Sequence, residues 1–340
     1  MYMQKTVEVP PPPGVIGSLR AGFEAVSSHV SLILPPVALD IFLWLGPRLS
    51  VDGLLNPFLQ IMSEQARHTL TSSTDLKQFT EIQSVFGAMI THFNLLSLLA
   101  RLQTFPVGVS SLLAQTMPVE TPLGSQKVVQ ISSIPGLLGL AFLLILAGWI
   151  LGGLYFYWVS GTILGNSKQA VGITSSRAII QTLILSVLWL IGLMMFFIPF
   201  TLVLTVLTML SPLLASGALF LMLILSFWLI VPLFFTPHGI FMRKQNAFHS
   251  IFTSLRMARF TLPTSGMFVL CVFLLSIGLN YLWSVPPDDS WMTLVGIGGH
   301  AFITTALLAA SFVYYRDTNV WLQTVFEKLQ QKQSIPAQRV

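Results

Sequence analysis

Apolar residues fall into six runs of about bilayer length, at 29–47, 137–160, 178–211, 213–237, 263–285 and 291–315. A helix needs about 20 mainly apolar residues to cross a bilayer, so the pattern predicts six spans. Ser211-Pro212 divides the third from the fourth, and Pro286-Pro287-Asp288-Asp289 the fifth from the sixth. The first run is the weakest, since Pro35 and Pro36 interrupt it and Asp40 lies within it. Ahead of it, residues 1–14 read as a mobile tail with a polyproline patch. Val15, Ile16, Leu19, Phe23 and Val26 then recur at helical spacing, with Ser18, Arg20, Glu24 and Ser27 opposite. A short amphipathic helix before a span is expected to lie in the membrane interface. Residues 15–48 thus pair an interfacial helix with span one.

The long polar segment, 49–136, carries two helical stripes. Leu54, Leu55, Phe58, Ile61 and Met62 form one, and Ile82, Val85, Phe86, Met89, Ile90 and Phe93 the other. Thr71-Ser72-Ser73-Thr74-Asp75 between them is a turn with a capping residue. Prolines 106, 118, 122 and 135 mark the remainder of the segment as loop, with an extended piece near 127–131. The segment reads as a small helical cap packed on the outer membrane face, its stripes serving as packing surfaces. The fold class is therefore all-α: a polytopic bundle with 137–317 holding spans two to six and 318–340 a cytoplasmic amphipathic helix and tail.

Composition agrees. Charged residues are 9% of the 340, hydrophobic ones 54%, and mean hydropathy is +0.79, whereas a soluble domain is about 25% charged. Charge then orients the bundle. Residues 236–260 carry Arg243, Lys244, Arg256 and Arg259 and no carboxylate. A basic segment between two apolar runs is cytoplasmic by the positive-inside bias. On that assignment 12 of the 17 basic residues lie inside, and the other 5 are Arg48, at the edge of the long outer segment, and Arg67, Lys77, Arg101 and Lys127 within it. Both termini are then cytoplasmic, in a plasma membrane, and the net charge of +5 needs no nucleic acid. Arg20, Lys168, Arg177, Arg243, Lys244, Arg256 and Arg259 become candidate contacts for anionic lipid head groups.

Gly17-Ser18-Leu19-Arg20 before span one echoes Thr253-Ser254-Leu255-Arg256 before span five, and Ser175-Ser176-Arg177 stands before span three. A repeat of basic segment and helical hairpin, or chance similarity, accounts for this. With TSLRMARF before span five and SFVYYRDTNVW leaving span six, residues 161–329 resemble a loose bacterial group. It includes the membrane domain of some glycerophosphodiester phosphodiesterases and stand-alone six-helix proteins. The resemblance implies a six-helix fold. No catalytic phosphodiesterase domain accompanies it here, so it does not imply that activity, and the long segment after span one departs from the group's pattern.

Motifs for chemistry are missing. No phosphate-binding Gly-rich loop, His-Glu-x-x-His or Gly-x-Ser-x-Gly occurs, and the 6 histidines and single Cys271 have no metal-ligand spacing. No cofactor, metal or enzymatic activity is expected. Gly148-Trp149-Ile150-Leu151-Gly152, with Gly153, offers a flat helix face for internal packing or for a homodimer. Pro199 and Pro232 are expected to kink spans three and four. Asp40 and His300 fall at matching depths counted from opposite ends of their spans and form a candidate buried polar pair. The alternative is that Asp40 bonds to a nearby hydroxyl or backbone group. The expected function is a scaffold, accessory or lipid-contacting membrane component. The alternative is a permease subunit using Asp40 and His300.

Overall fold

The computed structural model describes residues 11–69, 73–100, 106–165 and 174–334. In chain order the helices are α1 (Val15–Ser28), α2 (Leu34–Leu45), α3 (Asp52–Thr69), α4 (Ser73–His92), α5 (Leu113–Thr116), α6 (Ile134–Gly165), α7 (Ser175–Leu210), α8 (Pro212–Phe234), α9 (Thr236–Arg243), α10 (Ala247–Trp283) and α11 (Thr293–Ser334). Strands β1 (Arg48–Ser50) and β4 (Val128–Gln130) pair in parallel; β2 (Glu120–Thr121) and β3 (Gly124–Ser125) pair antiparallel. Among the described residues, five helices are long and apolar enough to cross a membrane. These apolar helices fit a multi-pass membrane protein.

Span one departs from expectation. Residues 30–33 form a 3-10 turn, and the chain bends by 97° between α1 and the segment that continues through α2. α2 has 12 residues, about 18 Å at 1.5 Å per residue and short of a core about 30 Å thick. A sixth span exists only if the bent pair counts as one. Pro35 and Pro36 do not interrupt a helix. They sit at the start of α2, where proline's missing N–H costs nothing and its fixed φ suits the first turn.

The amphipathic segment before span five is not a separate helix either. It runs straight into the span as the 37-residue α10, and span six continues into the tail as the 42-residue α11. Nothing in Arg256–Phe260 stops a helix, and α10 continues through Pro263. α7 likewise continues through Pro199, while α8 ends at Phe234, just beyond Pro232.

The chain forms two compact units. One comprises the chain up to Val30, Phe156–Ser276 and the part from Thr305 on. Its core gathers Val231, Phe235, Met257, Phe268, Ala310, Tyr314 and Tyr315, with the Phe268 and Tyr314 rings stacked at 4.2 Å. α1 packs here through Ser18, Gly22 and Val26. A Cβ on Gly22 would lie 2.5 Å from Ala306 O and Ala310 N of α11, so only glycine permits the approach. Ser18 and Gly22 of α1 and Ser254 and Ala258 of α10 are buried at matching places of the two echoing segments.

The α8–α9 break in this unit lies at Phe235, between Pro232 inside α8 and Pro237 in the first turn of α9. Ser254 Oγ donates to Pro232 O, and Ser250 Oγ, one turn earlier on α10, donates to Thr236 O. Two serines four residues apart thus reach carbonyls on either side of the break from one face of α10.

The second unit comprises Ser31–Tyr155 and Ile277–Thr304, with a core of Leu43, Trp44, Leu96, Leu112, Leu113 and Ile297. Trp283 lies across Gly299, where a Cβ would fall 2.5 Å from its ring. α3 and α4 pack on each other, but neither contains a buried residue among the described side chains. Of the segment 49–136 read as a helical cap, this part is a two-helix hairpin. Its turn, 71–75, lies partly outside the described residues.

Candidate functional site

The deepest polar chemistry in the second unit centres on Asp40. α2 places Pro36, Asp40 and Trp44 on one buried face, four residues apart. The Asp40 carboxylate is fully buried. It accepts hydrogen bonds from the Ser111 hydroxyl and from the N–H groups of Leu112 and Leu113, the latter two each at 3.1 Å. Ser111 Oγ in turn accepts the Ala114 N–H at 3.0 Å. Leu112 is the N-cap of α5 and has no capping side chain of its own, so Asp40 caps that turn from about 70 residues away along the chain.

The same logic governs the other polar residues nearby. Asn94 Oδ1 accepts the N–H groups of Leu49 and Leu96, both at 3.1 Å. Gln126 Nε2 donates to the carbonyls of Leu43, at 2.9 Å, and Trp44. What Asp40 holds is a buried irregular segment: Val107, Val109, Leu112 and Leu113 are no more than 3% exposed. The sequence placed that stretch in an outer loop. Irregular backbone is tolerated at membrane depth only where protein covers it, and its N–H and C=O groups then need partners from side chains.

Asp40 and His300 are not brought together as bonded partners: among the described residues no hydrogen bond or ion pair joins them. His300 is buried on α11, and its Nε2 has no hydrogen-bond partner. The carboxylate has the hydroxyl and backbone partners of the alternative reading. The residue missed by sequence reasoning is Ser111, for which the only signal was an apolar Val-Gly-Val-Ser-Ser-Leu-Leu run between Pro106 and Pro118.

The glycine face of α6 is occupied by backbone of the Leu95–Leu99 turn and of Gly108. A Cβ on Gly148 would lie 2.9 Å from Leu99 O, and one on Gly152 2.5 Å from the Gly108 Cα; Gly153 is buried. The face expected to meet another helix or a second copy therefore receives the chain's own loop backbone. Beyond the spans, Trp44 Nε1 donates to Asp288 O at 2.8 Å, and burial together with Asp289 raises the pKa of the Asp288 carboxyl.

In the first unit the basic residues separate by task. Arg177 Nη2 donates to Lys244 O at 3.0 Å, and Gln181, one turn on, accepts the Ala247 N–H at 2.8 Å. Together they clamp the turn from α9 into α10, where Lys244 adopts a left-handed φ of 53°. Arg243 Nη1 donates to Asn319 Oδ1 at 2.9 Å. Arg20 pairs with Glu24 at 2.7 Å on an exposed face. Arg256 and Arg259 are exposed on α10, with no ion pair among the described residues. Lys168 lies outside the described residues. Structural hydrogen bonds thus already engage Arg177 and Arg243.

His238 Nε2 shares a 2.7 Å hydrogen bond with Ser311 Oγ, and its ring lies 4.6 Å from Phe312. A Cβ on the adjacent Gly239 of α9 would meet the Ser250 Oγ and Gln245 Oε1 side-chain atoms. Among the described residues no three of His, Cys, Asp and Glu converge as a metal ion would need. Comparison with known proteins adds no relative: no family model, no curated protein and no solved structure matches the chain.

Proposed function

We propose that this multi-pass membrane protein is a non-catalytic component of its membrane, a scaffold or accessory subunit in contact with lipid. The observation that carries this reading is the commitment of Asp40: its carboxylate serves buried backbone through Ser111, Leu112 and Leu113. Asn94 and Gln126 do the same for neighbouring segments. A transport or catalytic site needs polar groups aimed at a substrate, and these point at the protein's own chain. One observation favours a permease instead, the buried and unpartnered Nε2 of His300.

Two measurements on the purified protein separate the readings. Under mild detergent a stoichiometric membrane partner is expected to co-purify. In proteoliposomes carrying a pH-sensitive dye, proton flux is expected to equal that of empty vesicles. Flux above that background, abolished by His300→Gln, overturns the accessory reading in favour of the permease.

The bundle is proposed to sit in the plasma membrane with both termini cytoplasmic, on the side of Lys168 and Arg243. Arg256 and Arg259 are its strongest candidates for anionic head groups, being exposed and without an ion pair among the described residues. In a Cys271→Ala background, single cysteines at Asp288 and Gln245 are expected to label from opposite faces of the intact membrane. Labelling of both from one face removes this topology.

A further inference from the structure

The α3–α4 hairpin exposes more apolar surface than water tolerates. Phe58, Ile61, Ile82, Val85, Phe86 and Met89 are 52–66% exposed, and Phe58, Ile82 and Phe86 line an open groove of about 370 Å³ between the helices. Contiguous apolar patches of this kind mark protein or membrane contact sites. The hairpin's root shows which phase lies beside it. Arg48 Nη2 donates to Thr91 O at 2.6 Å, tying the end of α4 to β1, and the Gly53 N–H donates to Gln130 Oε1 at 3.3 Å. Gln130 precedes the start of α6 by four residues, at most about 14 Å of extended chain. The first turns of α6 expose Ile134, Leu138 and Phe142 by 61–64%, as a lipid-facing helix does. On its other side, β1 begins four residues after Trp44, whose ring meets Trp291 edge-on at 5.8 Å. Tryptophans at the end of a membrane helix belong to the head-group level.

We propose that the hairpin lies on the leaflet at its own end of the bundle, its groove face seated among the acyl chains. The occupant of the apolar face is the bilayer, continuous with the lipid-facing surface of α6. Apolar area rather than charge draws it there. Residues 52–92 carry four carboxylates, Asp52, Glu64, Asp75 and Glu81, against Arg67 and Lys77. That is the reverse of the Lys/Arg-rich polar face that binds anionic lipid. Insertion is therefore indifferent to anionic lipid, unlike contacts at Arg256 and Arg259. This inference goes beyond the function proposed above and stands whether or not the protein is an accessory subunit.

The test uses the full chain in nanodiscs of phosphatidylcholine, in a Cys271→Ala background. Spin labels at single cysteines replacing Val85, Phe58 and Glu64 are probed with oxygen, which concentrates in acyl chains, and with a water-soluble nickel chelate. Labels at Val85 and Phe58 are expected to collide several-fold more with oxygen than with nickel, and the label at Glu64 the reverse. Partial replacement by phosphatidylglycerol is expected to leave these ratios unchanged. Agreement between labels on two different helices, with unaltered circular dichroism, guards against a locally misfolded variant. Nickel access at Val85 and Phe58 overturns the proposal, because the face is then in water. Protection from both reagents overturns it in favour of a protein cover, identified as a second copy if dilution with unlabelled chain sharpens the spectra. Oxygen access only in the presence of phosphatidylglycerol also overturns it.

Discussion

Asp40→Asn is expected to lower the thermal midpoint of the detergent-solubilised protein substantially. The amide keeps one acceptor where the carboxylate offered two, and its NH2 faces the donors at Ser111, Leu112 and Leu113. Each buried donor left without an acceptor costs roughly 1–3 kcal/mol. Values near the low end suit a membrane protein, whose unfolded state also finds partners. Ser111→Ala acts on the same network, removing one donor to Asp40 and the acceptor of the Ala114 N–H. The double mutant should therefore lose less than the sum of the singles, by about 0.5–3 kcal/mol. His300→Gln, which shares no hydrogen-bond partner with Asp40, should add to Asp40→Asn. Additivity in the first pair and coupling in the second would reverse the assignment of Asp40 as a backbone cap.

The second large effect is expected at Gly22. In α1, Gly22→Ala places a methyl 2.5 Å from backbone atoms of Ala306 and Ala310, and backbone cannot yield as a flexible side chain does. α1 must move off α11, at a cost of about 1–3 kcal/mol or more for overpacking. Gly17→Ala, on the same helix with nothing within 4 Å, is the control. It should be neutral or stabilising by up to about 1 kcal/mol, because alanine is the better helix former. Thermal midpoints of the two variants decide the matter; equal shifts would show that the close approach of α1 to α11 contributes nothing.

The two halves of the chain were not equally legible. Spans two to six follow from runs of apolar residues, because a bilayer demands length and apolarity from one contiguous segment. Ser211-Pro212 lies at the α7–α8 boundary, and 284–292, with the Pro286-Pro287-Asp288-Asp289 run, separates α10 from α11. The amphipathic stripes of α3 and α4 were equally plain, since helical spacing is local. Polarity also flagged Asp40 as a group that must face protein.

What the sequence by itself determined is thus a helical membrane bundle, the positions of its long helices, and the need for a partner at Asp40. Only the tertiary structure decided what that partner is. Ser111 lies about 70 residues from Asp40, and β1 pairs with β4 across a similar gap. No local period encodes such meetings, because they depend on which backbone groups burial leaves without partners. The same holds for Gly148 and Gly152: their flat face was legible, but not that loop backbone, rather than another helix, would fill it. Nor could proline spacing tell a broken span from a helix start at Pro35 and Pro36. The difference lies in the bend after α1, which leaves both prolines in the first turn of a new helix, where a missing N–H costs nothing.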